Sequence, residues 1–409
     1  MFLSRRQMMV AILGIAAFAP CLSVPSSGEE QSATDAAPGS KAKPADISAL
    51  RVSGPYVHKN LAVYLIHSKQ RDDREFITLN EGLKSGEVKV TELNNEQVNR
   101  LEIENRSDKP LFLQEGDRVT GGKQDRTIYS SLVIAPKSKP QPIPTFCIEA
   151  SRWTEGQSGK SFVANPNDGY ASNSVRVASK LGMNQQRVWM EVAKNKRQLM
   201  DVIGTKNTNS SLNEAVDSKE VVQSTEEFDN ALSKLIGKHQ DAVGFAFAVN
   251  GKILEVDAFP GNQLASKVFP RMLETYAIDA VAAAKLDKDN SKAKAPSKDV
   301  VLNFMKSAAK SKVHRDEKVN PDNQLVILAA EPANTNEKQL TYQCQTKYDN
   351  RLVHLQWIKA EKQPTQAELQ QMRLNNPRFN FNPSNYNPSN SPEQQQQLPN
   401  DAPNEQRRR

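Results

Sequence analysis

The chain has 409 residues, 25% of them charged, and a formal net charge of +7. Its 54 lysines and arginines are scattered among 47 acidic residues and form no basic stripe with interleaved aromatic side chains, which argues against a nucleic-acid partner. No two of the five histidines have metal-ligand spacing on one helix face, so no metal site is predicted.

The first 27 residues are typical of an export signal. Arg5 and Arg6 precede an apolar run at 8–19, which is shorter than the ~20 residues of a transmembrane helix. We therefore expect an exported protein without a transmembrane anchor, located in the periplasm, the cell envelope or outside the cell. The arginine pair is compatible with a secretory signal or a twin-arginine signal.

Residues 50–153 predict a β-rich lobe, either a sandwich or a half-barrel, after a disordered leader at 28–49. An apolar run at 61–66 and alternating apolar and polar residues at 88–93 and 98–105 indicate strands. The prolines at positions 136, 140, 142 and 144 are expected to prevent regular strand pairing there.

Residues 154–173 predict a long loop, followed by an α+β lobe with an antiparallel sheet at 174–360. Helical spacing of apolar residues predicts helices at 174–203, at 264–285 and after Thr225, which is the expected N-cap of its helix. Asn250-Gly251 between two apolar runs predicts a type I′ hairpin. The last segment, 361–409, is rich in Asn, Gln and Pro, and a disordered tail is expected.

The stretch 113–127 is the predicted functional site, because a polar, glycine-containing turn lies there between two apolar strands. Its basic residues could bind an anion, and its glycines would let backbone N–H groups approach that anion. The candidate binding residues are Glu115, Asp117, Gly121, Gly122, Lys123, Gln124, Asp125 and Arg126, joined by Cys147, Glu149, Arg152 and Trp153. We also expect Asp125 and Arg126 to lie beside Glu149 and Arg152 on neighbouring strands or their ends.

The same stretch is close to a phosphate-binding loop but differs from one. The interval from Gly116 to Gly122-Lys123 is one residue too long, and Gln124 replaces the metal-binding hydroxyl. The following residues predict a strand where a phosphate loop requires a helix. No nucleotide or other cofactor is predicted.

Two segments resemble a known family. Glu115-Gly-Asp-Arg-Val-Thr-Gly-Gly-Lys-Gln-Asp-Arg126, with 144–153, is similar to the first characteristic segment of the ARG and Rhodanese-Phosphatase-superfamily-associated Protein domain, and 243–259 is similar to the second. The resemblance covers roughly residues 52–358 and implies that 50–360 is one family module. It implies no reaction, cofactor or partner.

Several functions remain open from the sequence alone. The leading hypothesis is a non-catalytic binding or interaction module for an anionic small molecule or a glycan. The first alternative is a hydrolase that uses Glu115, Asp117, Asp125 and Glu149 as acid and base. A structural envelope component is the second alternative, and a purely internal role of the 113–127 stretch is as compatible with the sequence as a site. The sequence also leaves open whether Cys147 and Cys344 pair.

Overall fold

The structure of the protein is a computed structural model. It describes residues 42–363 except 71, 73, 94–98, 150–158, 165–168, 205–210, 287–291 and 333–337, and adds residues 365, 367, 368 and 371. The predicted export signal, most of the predicted leader and nearly all of the predicted tail lie outside these residues. Ala45 donates its N–H to Gln343 Oε1 at 2.8 Å, so packed structure begins before residue 50.

The first part of the described chain is mostly strands with one helix, and the other helices follow from residue 173 onward among further strands. The strands are β1 Leu50–His58, β2 Leu61–Ser68, β3 Ile77–Thr78, β4 Val88–Glu92, β5 Arg100–Asn105, β6 Leu111–Leu113, β7 Arg118–Gly121, β8 Arg126–Ile128, β9 Leu132–Ile134, β10 Gln141–Cys147, β11 Ser161–Ala164, β12 Ala242–Val249, β13 Lys252–Ala258, β14 Lys312–Lys318, β15 Asn323–Ala330, β16 Gln339–Tyr348 and β17 Arg351–Glu361. The helices are α1 Leu79–Ser85, α2 Asn173–Lys180, α3 Gln185–Ile203, α4 Leu212–Val216, α5 Lys219–Leu232, α6 Asn262–Leu286 and α7 Lys298–Ser307, with short 3-10 turns at Ile236–Lys238 and Ala308–Lys310.

Eight strands form an antiparallel sheet in the order β1-β2-β12-β13-β17-β16-β15-β14. Strand β2 is buried along its whole length, as its continuous apolar sequence predicts. Helices α5 and α6 cover one face, where Phe245 and Phe247 of β12 pack with Phe269 and Tyr276 of α6. Since β1 and β2 belong to this sheet, it takes strands from both predicted lobes.

Six other strands close into a barrel in the order β10-β5-β4-β11-β7-β8, and β3, β6 and β9 form a small three-stranded sheet. The barrel has its own apolar interior, which includes Val90, Ile103, Val119 and Ile143. The predicted fold class is therefore confirmed: a β-rich region containing a barrel and an α+β region with an antiparallel sheet. The barrel is closed, which goes beyond the expected half-barrel.

Local backbone chemistry explains where α1 begins and ends and how β12 is joined to β13. Thr78 and Glu81 form a capping box at the start of α1, and Gly86 ends the helix at φ 75°. Asn250 and Gly251 have φ values of 48° and 74°, and they join β12 to β13 as the hairpin signal predicts.

Four predictions of local structure were wrong. Pro142 and Pro144 lie within β10, opposite Glu102 and Arg100 of β5. Because the two prolines are two residues apart, both lack an N–H on the same side of the strand, and the other side can still form the ladder. Part of the predicted loop at 154–173 forms β11, which completes the barrel between β4 and β7.

The other two concern helices. The helix predicted at 174–203 is broken at 181–184 into α2 and α3, and Asn184 caps the second. Helix α5 begins after Ser218, so Thr225 lies inside it and bonds back to the Val221 carbonyl.

Candidate functional site

The predicted site stretch lies almost entirely inside the protein. Every described candidate residue is buried except Lys123, which is half-buried and donates its N–H to Glu92 Oε1 at 3.0 Å. Arg152 and Trp153 lie outside the described residues. The structure divides the others into two separate groups, one around Glu115 and Asp117 and the other around Asp125 and Arg126.

The second group lies where strands β8 and β10 pair, and it confirms the predicted proximity of Asp125-Arg126 to Glu149. Arg126 of β8 lies opposite Cys147 of β10 in the strand ladder. The Asp125 N–H donates to Glu149 Oε2 at 3.1 Å, and Gln124 Nε2 donates to the Glu149 carbonyl at 2.9 Å. Asp125 also accepts bonds from Ser211 Oγ at 2.6 Å and from the Gly121 N–H at 3.1 Å. These contacts connect the barrel strands to one another.

The two neighbouring glycines allow the close packing of this turn. Gly121 has φ 136°, and a Cβ there would lie 2.4 Å from the Ser161 carbonyl oxygen of β11. Gly122 has φ 53°, and a Cβ there would lie 2.4 Å from the Phe162 ring. Both positions therefore need glycine to let strand β11 approach, whatever the turn binds.

The first group belongs to what we call the buried charge cluster, formed by Glu115, Arg176, Lys180, Glu255 and Gln356. Arg176 of α2 donates to both carboxylate oxygens of Glu255, one at 2.7 Å, and lies 3.5 Å from Glu115. Lys180 Nζ contacts Glu115 Oε2 and Gln356 Oε1. Burial by itself would raise the pKa of Glu115, but the charges of Lys180 and Arg176 outweigh it and hold that pKa below its usual value.

A second set of side chains, the buried trio of Ser131, His354 and Asp257, adjoins this cluster. Ser131 Oγ lies 3.0 Å from His354 Nδ1, and His354 Nε2 lies 2.8 Å from Asp257 Oδ1. All three residues are almost fully buried, and the His354 ring stacks on Phe259. Burial lowers the pKa of His354 to about 4. Burial and the nearby charge of Glu255 raise the pKa of Asp257 well above its usual value.

The outer end of the eight-stranded sheet carries a set of the same residue types, the edge trio of Ser53, His67 and Asp241. The register produces it: Arg51 pairs with His67, which puts Ser53 diagonally opposite His67. Asp241 comes directly before Ala242, which pairs with His67 from the other side. Strands β1, β2 and β12 therefore bring the three residues together.

The edge trio has the hydrogen-bond order of a serine nucleophile, a base and an orienting acid. Ser53 Oγ lies 2.7 Å from His67 Nε2, and His67 Nδ1 lies 2.9 Å from Asp241 Oδ1. The hydrogen bond from His67 is the main cause that lowers the pKa of Asp241, so this carboxylate is ionised at neutral pH. Arg51 donates to the other Asp241 oxygen at 2.8 Å.

The surroundings of the edge trio are open on one side. Strand β1 is the last strand of the sheet, Ser53 is half-buried, and the Asp241 side chain is 39% exposed. The Tyr56 hydroxyl lies 3.4 Å from Ser53 Oγ and 3.5 Å from His239 Nε2. A β-bulge between Ser53 and Tyr56 brings both side chains to this place.

The described part of the chain contains neither a cluster of metal-ligand residues nor a disulfide. No group of three or more His, Cys, Asp or Glu side chains there could hold a metal ion. Cys147 and Cys344 are separate buried thiols, and burial raises the pKa of each to about 11. None of the described helices has the length and apolar character needed to cross a membrane.

The sequence interpretation missed both trios. A signal exists for the buried one, since polar residues alternate on two apolar strands, Glu255 and Asp257 on β13 and His354 and Gln356 on β17. The edge trio left no local signal, because Asp241 is 174 residues from His67.

The fold and these contacts define a mixed α+β protein in which a barrel and an eight-stranded sheet surround a buried polar network. The family model of the ARG and Rhodanese-Phosphatase-superfamily-associated Protein domain (ARPP-1) matches residues 49–358, and the chain belongs to this family. No curated protein and no solved structure matches the chain.

Proposed function

We propose that this protein is a serine-type hydrolase of carboxylic esters with Ser53 as nucleophile. The observation that carries the proposal is the edge trio, in which one imidazole contacts the serine through Nε2 at 2.7 Å and the carboxylate through Nδ1 at 2.9 Å. Because the acid fixes the Nδ1–H tautomer, Nε2 is left as the acceptor for the serine proton.

The roles follow from the contacts. Ser53 Oγ attacks the ester carbonyl carbon while His67 Nε2 takes its proton, and His67 then returns that proton to the leaving alcohol. Water hydrolyses the resulting acyl-serine with His67 again as base. The Tyr56 hydroxyl, 3.4 Å from Ser53 Oγ, is the candidate donor to the developing oxyanion.

The open edge of the sheet favours this trio over the buried one. Substrate must reach the nucleophile, and Ser131 is 1% exposed, whereas Ser53 lies on the terminal strand next to exposed Arg51 and Pro55. The hydrolase hypothesis drawn from the sequence relied on Glu115, Asp117, Asp125 and Glu149, and their buried contacts give it no support. The binding-module hypothesis and the expected export stay predictions.

Labelling with a fluorophosphonate probe tests the proposal directly. Wild-type protein should carry the probe on Ser53 and hydrolyse p-nitrophenyl esters, and Ser53→Ala should lose both. His67→Gln should lower kcat by ~10²–10⁴-fold. His58→Gln is the matched control, since His58 lies on the same strand as Ser53 but faces Glu227, and its substitution should leave labelling unchanged. A folded wild-type protein that neither takes the probe on Ser53 nor hydrolyses the esters would overturn the proposal.

A further inference from the structure

The buried charge cluster contains an amine, an amide and a carboxylate in mutual contact. Lys180 Nζ touches the amide oxygen of Gln356 and one oxygen of Glu115. The other Glu115 oxygen accepts a bond from Gln356 Nε2 at 2.7 Å. One carboxylate therefore bridges the nitrogen of the lysine and the nitrogen of the glutamine amide.

The surrounding protein shields these three groups from solvent. Glu115 is 2% exposed, Lys180 1% and Gln356 0%, and the three come from the barrel region, from α2 and from β17. In such a place the side-chain amide is protected from competing hydrolysis by water. The lysine nitrogen is held beside it, which gives the two groups a high effective concentration.

We propose that Lys180 and Gln356 form an intramolecular isopeptide bond, with Glu115 as the proton carrier. Glu115 Oε2 takes a proton from the Lys180 ammonium, and the amine attacks Cδ of Gln356. The Nζ–Cδ bond forms, Glu115 delivers that proton to Nε2, and the Cδ–Nε2 bond breaks so that ammonia leaves. Glu115 then takes the second lysine proton from Nζ.

The charges and atoms balance without any co-reactant. Lys180 gives up two protons: one leaves in ammonia, and the other stays on Glu115. The lysine cation and the Glu115 anion therefore disappear together, and the Arg176–Glu255 pair remains as the charged pair of the cluster. Burial favours this outcome because it removes two buried charges at once.

The bond would connect residues 176 positions apart in the sequence, joining α2 to the centre of the eight-stranded sheet. A link of that span restricts the unfolded chain strongly, and it is independent of the proposed hydrolase activity. Its loss should lower Tm even where the folded structure is unchanged.

Mass spectrometry of the purified full chain tests the inference. Intact wild-type protein should weigh about 17 Da less than its own sequence requires, the mass of one ammonia. Trypsin does not cleave at a modified lysine, so the digest should contain fragment 177–187 linked to fragment 352–359. Lys180→Arg and Glu115→Gln should each restore the full mass and release both fragments.

The other outcomes each overturn the assignment. Full intact mass with separate fragments 177–180 and 352–359 would mean that the contact is only a hydrogen bond. A deficit of about 18 Da would indicate loss of water and a bond to a carboxyl group. Linkage of 352–359 to fragment 127–137 would assign the nucleophile to Ser131. The wild-type measurement decides these cases even where a variant fails to fold.

Discussion

The edge trio and the buried trio contain the same three residue types at similar distances, and they differ in surroundings. In the buried trio the serine contacts His354 Nδ1 and the acid contacts Nε2; in the edge trio the two nitrogens exchange roles. Asp257 is fully buried beside Glu255, whereas Asp241 is partly exposed and paired with Arg51. Hydrogen-bond geometry alone therefore does not distinguish a structural serine–histidine–acid chain from a reactive one; access and charge do.

Removal of one buried charge should give the largest effect and sharpen this comparison. Arg176→Met removes the cation that pairs with Glu255 in a dry site, and we expect a loss of ~3–5 kcal/mol in the free energy of unfolding. Arg51→Met removes an exposed partner of Asp241, and its cost should stay within ~1 kcal/mol. Urea unfolding of both variants measures the difference; equal effects would break the contrast between the two regions.

His354 should contribute a pH dependence to the stability. The pKa of His354 is about 4 in the folded protein, against 6.5 for an ordinary histidine. Between these two pH values the histidine is protonated in the unfolded chain and neutral in the folded protein. This contribution is fully present above pH 6.5 and is lost as the pH falls toward 4, by at most about 3 kcal/mol. The raised pKa of Asp257 acts in the opposite direction, since it favours folding at low pH.

His354→Gln isolates the histidine contribution. Stability of the wild type minus that of the variant, from denaturant melts at several pH values, should rise between pH 4 and 6.5. Parallel curves across this window would show that His354 titrates normally and that the trio is more open than its burial indicates.

Gly116 tests how tightly the turn before the barrel packs on Arg176. A Cβ there would lie 2.4 Å from Arg176 Cδ, and the residue has φ 82°. Gly116→Ala should cost ~2–3 kcal/mol, from overpacking added to backbone strain. Gly86 has a similar φ of 75°, and a Cβ there would meet nothing within 4 Å, so Gly86→Ala reports the strain alone, about 1 kcal/mol. Similar melting temperatures for the two variants would argue against the close packing.

The smallest effect is expected at the edge serine. Ser53→Ala should change the free energy of unfolding by less than about 1 kcal/mol, because water can replace the lost hydroxyl at the open side. Ser131→Ala removes the hydroxyl that pairs with the Glu115 N–H and with His354 Nδ1, and it should cost ~1–3 kcal/mol. Calorimetry on the two variants compares the same substitution in both trios. A larger loss of stability for Ser53→Ala than for Ser131→Ala would refute the assignment of Ser53 to the open edge and of Ser131 to the core.

Local chemistry in the sequence was enough to predict much of the fold. The Asn250-Gly251 hairpin and the strand at 61–66 depend on neighbouring residues only. Strand β11 and the β10 prolines were misjudged because closure of the barrel supplies partners that composition does not reveal. Whether such a segment forms a strand depends on its pairing with distant strands, and this pairing cannot be recognised in a single sequence.

The same reasoning applies to the sites. The 113–127 stretch stands out as charged and glycine-rich, and the proximity of Asp125 to Glu149 could be predicted because one hairpin-like return connects them. Lys180 and Arg176, which contact Glu115, sit on a helix whose sequence suggests a solvated surface. Their burial results from packing against β13 and β17, which the chain supplies only much later.

Strand β17 has a consequence for the synthesis of this protein. It lies in the interior of the eight-stranded sheet, between β13 and β16, although it is the last strand of the described chain. A ribosome must therefore release almost the whole described chain before the sheet can be joined in the middle. A product that contains β16 but ends before Arg351 would carry two unsatisfied strand edges, at β13 and β16, and such edges pair readily with those of other molecules. Premature termination should consequently yield aggregates and no functional fragment.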